Sequence, residues 1–220
     1  ARLALLALHE RSREWRAAAE VAARLERSGS GSFASRIAHH WCELAAEADA
    51  RQQTAEADEA LQRAREAAPQ SPRPLVMAGQ RARARGDHRE ALQQWGTLMV
   101  AHPAAFNLVA ADYAESAKAL GDAEAALERL EALHRRTPSG DLLAAIGRLD
   151  TDAARQRARV LAHLQQQGSL SAAQLLLAAP DATLAGSEAK ALHDAVARAA
   201  RPLHRYRCAA CAFEAQNYFW

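Results

Sequence analysis

Two cysteines near the C-terminus are the residues of this chain best placed to do chemistry. Cys208 and Cys211 stand in Tyr206-Arg207-Cys208-Ala209-Ala210-Cys211-Ala212-Phe213. Two thiolates at this spacing can grip one zinc or iron ion from a single turn, whose backbone amides also point at the sulfurs. A tetrahedral site takes four ligands, so the pair supplies half of one. The same spacing serves redox dithiols, but those need a strand before the motif and a helix after it, and no such unit surrounds these residues. The metal knuckle is therefore the preferred reading. His204 lies just upstream and reads as a solvated linker histidine, with a ligand role the weaker alternative.

His39, His40 and Cys42 flank Trp41 on one predicted helix. Adjacent helical positions face different ways, so packing of Trp41 and Cys42 into a core is expected rather than a shared metal site. Arg81, Arg83 and Arg85, like Arg155, Arg157 and Arg159, form basic runs that read first as exposed helix surface and second as a partner-binding patch. There is no glycine-rich phosphate loop, nucleophile elbow or paired-carboxylate arrangement, and the glutamates fall at spacings that pair them with arginines along a helix. No catalytic residues are expected, and the chain does not read as an enzyme.

The elements that must carry these residues are helices. Of 220 residues half are hydrophobic but only 5% aromatic, so the core must be built from alanine and leucine. These are the best helix formers, and alanine lets helix backbones approach closely. With 28 basic and 26 acidic residues the net charge is +2, which gives no field to steer nucleic acid. The apolar runs, Leu175 to Ala179 among them, are far short of the roughly 20 residues a membrane helix needs. The chain as given is expected to be soluble. It begins at Ala1 and runs directly into Leu3, Leu5, Leu6 and Leu8, so the N-terminus reads as a cut rather than a start. Three cysteines in this arrangement make no disulfide framework, and a reducing, cytoplasmic compartment fits.

Internal repetition is the strongest signal. Arg85-Gly86-Asp87-His88-Arg89-Glu90-Ala91-Leu92 aligns with Leu120-Gly121-Asp122-Ala123-Glu124-Ala125-Ala126-Leu127, and the same offset carries Leu98 onto Leu133 and Pro103 onto Pro138. Glycine closes one helix, aspartate caps the next, with Glu90 at the capping-box position after Asp87, and proline ends the pair. Ala91, Leu92, Trp95, Leu98 and Met99 share one face. Earlier copies are weaker. Trp15, Ala18, Ala19, Ala22 and Leu25 mark one second helix, with Arg13 where glycine is expected, and Ala60, Leu61, Ala64 and Ala67 mark another behind a long first helix around Ser35 to Ala50. Beyond Pro138, helices are expected through Leu142, Leu143, Ile146 and Leu149, through Val160, Leu161 and Leu164, from Leu170 to Ala178, and from Ala189 to Ala199. The spacing predicts an all-α tetratricopeptide-type helical-hairpin solenoid over residues 1–201, with an extended concave surface of the kind that binds other proteins. Residues 202–220 form a separate module holding five aromatics, Tyr206, Phe213, Tyr218, Phe219 and Trp220.

Repeats followed by Tyr206-x-Cys208-x-x-Cys211 resemble the lipopolysaccharide assembly protein B family, in which a tetratricopeptide array ends in a rubredoxin-like module. Ser12-Arg13-Glu14-Trp15, Glu20-Val21-Ala22 and Ile37-Ala38-His39-His40-Trp41-Cys42-Glu43-Leu44-Ala45 look like family segments in the same order. The resemblance implies that Cys208 and Cys211 are the first ligand pair of a four-cysteine zinc or iron site, with the tail aromatics packed around it. Ala212 stands where the family has glycine, and the second cysteine pair is not in this chain, so the knuckle is incomplete here. The resemblance also implies an adaptor on the cytoplasmic face of the bacterial inner membrane, held there by an N-terminal helix that this chain lacks. Such adaptors help the membrane protease FtsH degrade the deacetylase LpxC, and an inner-membrane regulator opposes them. The alternative is a general protein-binding scaffold whose zinc ribbon serves another purpose. The sequence leaves the oligomeric state open.

Overall fold

The computed structural model describes residues 1–167, 169–178, 183–201, 206–207 and 214–215. It divides into two compact units, Ala1–Leu120 and Gly121–Trp220. Among the described residues the fold is all-α apart from one short strand pair.

In the first unit α1 (Arg2–Arg11), α2 (Trp15–Arg27), α3 (Ala34–Ala50), α4 (Thr54–Ala67), α5 (Arg73–Ala84) and α6 (His88–Ala101) each pack on the helix before. A short α7 (Pro103–Phe106) and a 3-10 turn lead into α8 (Ala110–Leu120), which packs back on α6. The expected long first helix is α3. Its buried face, with Ala38, Trp41, Cys42, Ala45 and Ala48, meets Ala18, Ala19 and Ala22 of α2 and Ala57, Ala60 and Ala64 of α4 in one core. Small side chains at these contacts let neighbouring backbones approach and bury their apolar surface, worth roughly 25 cal/mol per Å².

Four turns of this unit share one construction. Arg13 (φ 56°), Gly29 (φ 68°), Gln52 (φ 60°) and Gly86 (φ 78°) adopt the left-handed conformation. The residue after each donates its N–H back to the carbonyl five residues earlier: Glu14 to His9 at 2.9 Å, Ser30 to Leu25 at 3.3 Å, Gln53 to Ala48 at 2.8 Å and Asp87 to Ala82 at 2.9 Å. This is a Schellman-type closure, which answers otherwise orphaned helix carbonyls and reverses the chain. Gly121 takes the same conformation (φ 75°) at the equivalent position of the 35-residue offset. Glycine enters that region freely, whereas a side chain costs about 1 kcal/mol.

In the second unit α9 (Ala123–Arg136) packs on α10 (Gly140–Leu149), α11 (Ala153–Gln166) packs on α12 (Leu170–Leu177) and α13 (Gly186–Ala200), and α12 also contacts α10 and α13. Ser139, Asp152 and Ser169 cap their helices by accepting the N–H of Leu142, Arg155 and Ala172. Leu143, Val160, Leu164, Ala172, Leu176 and Ala195 are buried together. Strands β1 (Tyr206–Arg207) and β2 (Glu214–Ala215) pair antiparallel, Tyr206 opposite Ala215 and Arg207 opposite Glu214.

Two expectations are corrected in detail. Asp87 does cap α6, accepting Glu90 N–H at 3.0 Å, but Asp122 makes no cap bond and its carboxylate takes Arg129 at 3.4 Å instead. Pro103 follows α6 and also opens α7, because a proline at the first helical position gives up an N–H that would be unanswered anyway.

The buried seam between α5 and α6 is set by Gly79. A Cβ built there would lie 2.2 Å from Trp95 Nε1, while one built at Gly96 of α6 would meet nothing within 4 Å. Trp95 is fully buried and its Nε1–H donates to Val76 O at 3.3 Å. Gly96→Ala is expected to stabilise by about 0.5–1 kcal/mol through helix propensity alone. Gly79→Ala should instead destabilise by about 1–3 kcal/mol through overpacking. Urea denaturation of both variants checks the opposite signs. Arg13→Gly and Gln52→Gly should each raise stability by up to about 1 kcal/mol by relieving the left-handed strain, read as a higher melting temperature.

Candidate functional site

The sequence-derived site, Cys208 and Cys211, lies outside the described residues, as do His204, Phe213, Tyr218, Phe219 and Trp220. What is described is its frame. The β1–β2 pairing brings together the two ends of the segment that carries both cysteines. A chain reversal around a Cys-x-x-Cys pair fits the donor set of half a tetrahedral thiolate site, in which Cys208 and Cys211 would hold the ion as thiolates. Bound there, zinc or iron would supply structural cross-linking of the module. Among the described residues no group of three or more His, Cys, Asp or Glu side chains could hold a metal ion.

Cys42 and Trp41 are buried, as expected from their place on α3. Burial pushes the Cys42 thiol up to about 11, so it stays protonated and packs as a small apolar group. His40 is buried as well, stacked on Trp15 with ring centroids 6.0 Å apart. Its Nε2 lies 3.0 Å from Glu10 Oε1, in poor hydrogen-bond alignment, and Arg36 of the same helix grips that carboxylate. His39 sits on the exposed side, where Arg73 of α5 reaches its Nδ1 and the Glu43 carboxylate.

Of the basic runs, Arg83, Arg85 and Arg155 lie on exposed helix surface as expected, while Arg157 and Arg159 are half-buried and Arg81 is buried. Arg81 of α5 is 8% exposed. It donates to Asp49 at the end of α3, to Asp58 of α4 at 2.8 Å and to Thr54 O at 3.2 Å, tying three helices together. Arg83 pairs with Asp112 of α8 at 3.0 Å. In the second unit Asp150, 4% exposed at the end of α10, accepts from Arg155 at 2.8 Å, from Arg159 at 2.5 Å and from Asp152 N at 3.0 Å. These donors, led by Arg155, hold its carboxyl far below the ordinary carboxylate range. Arg159 also reaches Glu131 of α9. Arg157 forks onto Glu188 of α13 at 2.8 and 2.7 Å, and with the Ala185 N–H lowers that carboxyl to about 2.

Sequence reasoning gave no sign of one further pair. His134 of α9 and His163 of α11 meet with ring centroids 5.5 Å apart. His134 Nε2 and His163 Nδ1 are buried with no hydrogen-bond partner. Their separation along the chain hides the pairing, and no residue type beside either one announces it. Burial lowers both pKa values, and for His134 the nearby His163 and Arg159 add to the effect.

Stability should therefore fall with acid in two stages. His40, His134 and His163 are all lowered by burial from 6.5, so the unfolded chain takes up their protons first. The stability held by the neutral rings is complete above about pH 6.5 and is lost as pH falls below it. Asp150 and Glu188 are lowered too. Their contribution is complete above about pH 4.5 and is lost toward and below about pH 2. Urea midpoints measured from pH 8 to pH 2 should step down in these two windows, and His134→Leu with His163→Leu should shrink the first.

No known protein-family model matches this chain, and no curated protein is matched by it.

Proposed function

We propose that this chain is the body of a non-catalytic adaptor of the lipopolysaccharide assembly protein B type, built of tetratricopeptide-type hairpins and carrying the first half of a rubredoxin-like module. One observation carries the reading. A recurring helical hairpin, closed by the same left-handed turn at Arg13, Gln52 and Gly86 with Gly121 in register, is coupled to a Tyr206-x-Cys208-x-x-Cys211 tail bracketed by a strand pair. The first feature supports a repeat scaffold that holds other proteins. The second supports the particular family.

In this reading the repeats present the partner surface, and the tail cysteines hold zinc or iron once a second cysteine pair completes the site. The partners are an FtsH-like protease, an LpxC-like deacetylase and an inner-membrane regulator. The adaptor works at the cytoplasmic face of the inner membrane by bringing the deacetylase to the protease. Among the described residues no helix is long and apolar enough to cross a membrane, so the anchoring helix in this reading is a separate segment.

Affinity capture with the purified full-length protein as bait tests the proposal. It should retain both the purified protease and the purified deacetylase. Retention of neither would overturn it and leave a scaffold of other purpose.

A further inference from the structure

Two histidines of the second unit meet where each has a buried nitrogen without a partner. His134 lies near the end of α9, and His163 lies on α11 one turn beyond Arg159. Their rings are tilted by 37° with centroids 5.5 Å apart. His163 is 3% exposed, and its Nδ1, like Nε2 of His134, is buried and unanswered. Neither ring makes a hydrogen bond or an ion pair among the described residues. His40 of the first unit, also buried, differs in having the Glu10 carboxylate 3.0 Å from its Nε2. Around the second-unit pair the nearby carboxylates are committed elsewhere, because Arg159 takes both Glu131 of α9 and Asp150 at the end of α10.

A neutral imidazole carries one N–H and one lone pair. Two such rings could answer each other through a single N–H···N bond, but no such bond is made here. Burial keeps both rings neutral, and His163 and Arg159 add to that at His134. Each ring therefore offers a lone pair without first giving up a proton. Buried nitrogens left unanswered are costly, and two on rings in contact ask for one group that answers both. An imidazole nitrogen binds a transition metal at about 2 Å, which places two rings sharing one ion at centroid separations of about 5–6 Å. The observed spacing falls inside that range.

Zinc takes three or four protein ligands, and no group of three His, Cys, Asp or Glu side chains among the described residues can supply them. Two nitrogen donors without a carboxylate suit copper(I), a monovalent ion satisfied by two or three ligands. It also leaves the least uncompensated charge beside Arg159. We propose that His134 Nε2 and His163 Nδ1 bind one copper(I) ion between α9 and α11. The ion pins two helices that the Arg159–Glu131 pair already joins, and it stabilises the second unit by mass action. His134 is only half-buried, so the ion reaches the pair along the edge of its ring. Neither the tail cysteines nor the adaptor function enters into this site.

Competition for copper(I) against a colorimetric chelator tests it, run without oxygen on the full chain carrying Cys208→Ser and Cys211→Ser so that the tail thiolates take no part. One equivalent of copper(I) should be retained and should raise the melting temperature, and X-ray absorption at the copper edge should show nitrogen neighbours and no sulfur. Losing a group that only orients a metal ligand already costs about 10–100-fold in affinity, so His134→Gln and His163→Leu should each weaken retention at least about hundredfold. The helical circular dichroism of both variants should be unchanged. On the unaltered chain, with copper(I) in excess over the tail thiolates, the ring NMR signals of His134 and His163 should shift together. No retained copper, sulfur in the absorption spectrum, undiminished retention by both histidine variants, or ring signals that stay in place would each overturn the site. Zinc held at the same two histidines as tightly as copper(I) would overturn the choice of ion.

Discussion

Reversal of the chain at a left-handed residue is the constraint on which the first unit depends. A helix cannot pack against its successor unless its last carbonyls find donors and the backbone turns within a few residues. Here the bond from the residue after the turn to the carbonyl five back does both, at Glu14, Gln53 and Asp87. Once the reversal is fixed, alanines at the seam bring the helices close. Ala18, Ala22, Ala45, Ala57, Ala64, Ala82, Ala91 and Ala114 are all fully buried. Where a large ring must fit, as at Trp95, the facing helix gives up its side chain altogether at Gly79.

A core of small apolar groups needs further ties, and buried ion pairs supply them. Arg81 joins α3, α4 and α5, and Asp150 with Arg159 joins the end of α10 to α11 and to α9. Such pairs cost desolvation, so their net effect on stability is small. Removing one partner is another matter, because it strands the other charge in a buried place. They fix which helix lies against which, a matter that an alanine and leucine seam leaves loosely specified.

The hairpins were legible because period and turn chemistry agree locally. The 35-residue offset placed Ala91 over Ala126, Trp95 over Leu130 and Leu98 over Leu133, and all six are buried. Arg13 was read as occupying a glycine position, and its φ of 56° bears that out. What sequence could not give were contacts made across about thirty residues, such as Arg81 with Asp49, Arg159 with Glu131 and His134 with His163. Alternating arginines look the same whether they face solvent or a carboxylate on another helix. The cysteine pair reads as a metal half-site from its spacing, and of its surroundings the structure describes only the β1–β2 pairing.

The adaptor account gives the helical hairpins and the cysteine tail one task, delivery of a deacetylase to a protease. The most direct measure of that task is the half-life of the deacetylase in the native host after protein synthesis is stopped. With the gene for this protein deleted, the account predicts a half-life lengthened severalfold and restored by the full-length gene. An unchanged half-life would contradict it.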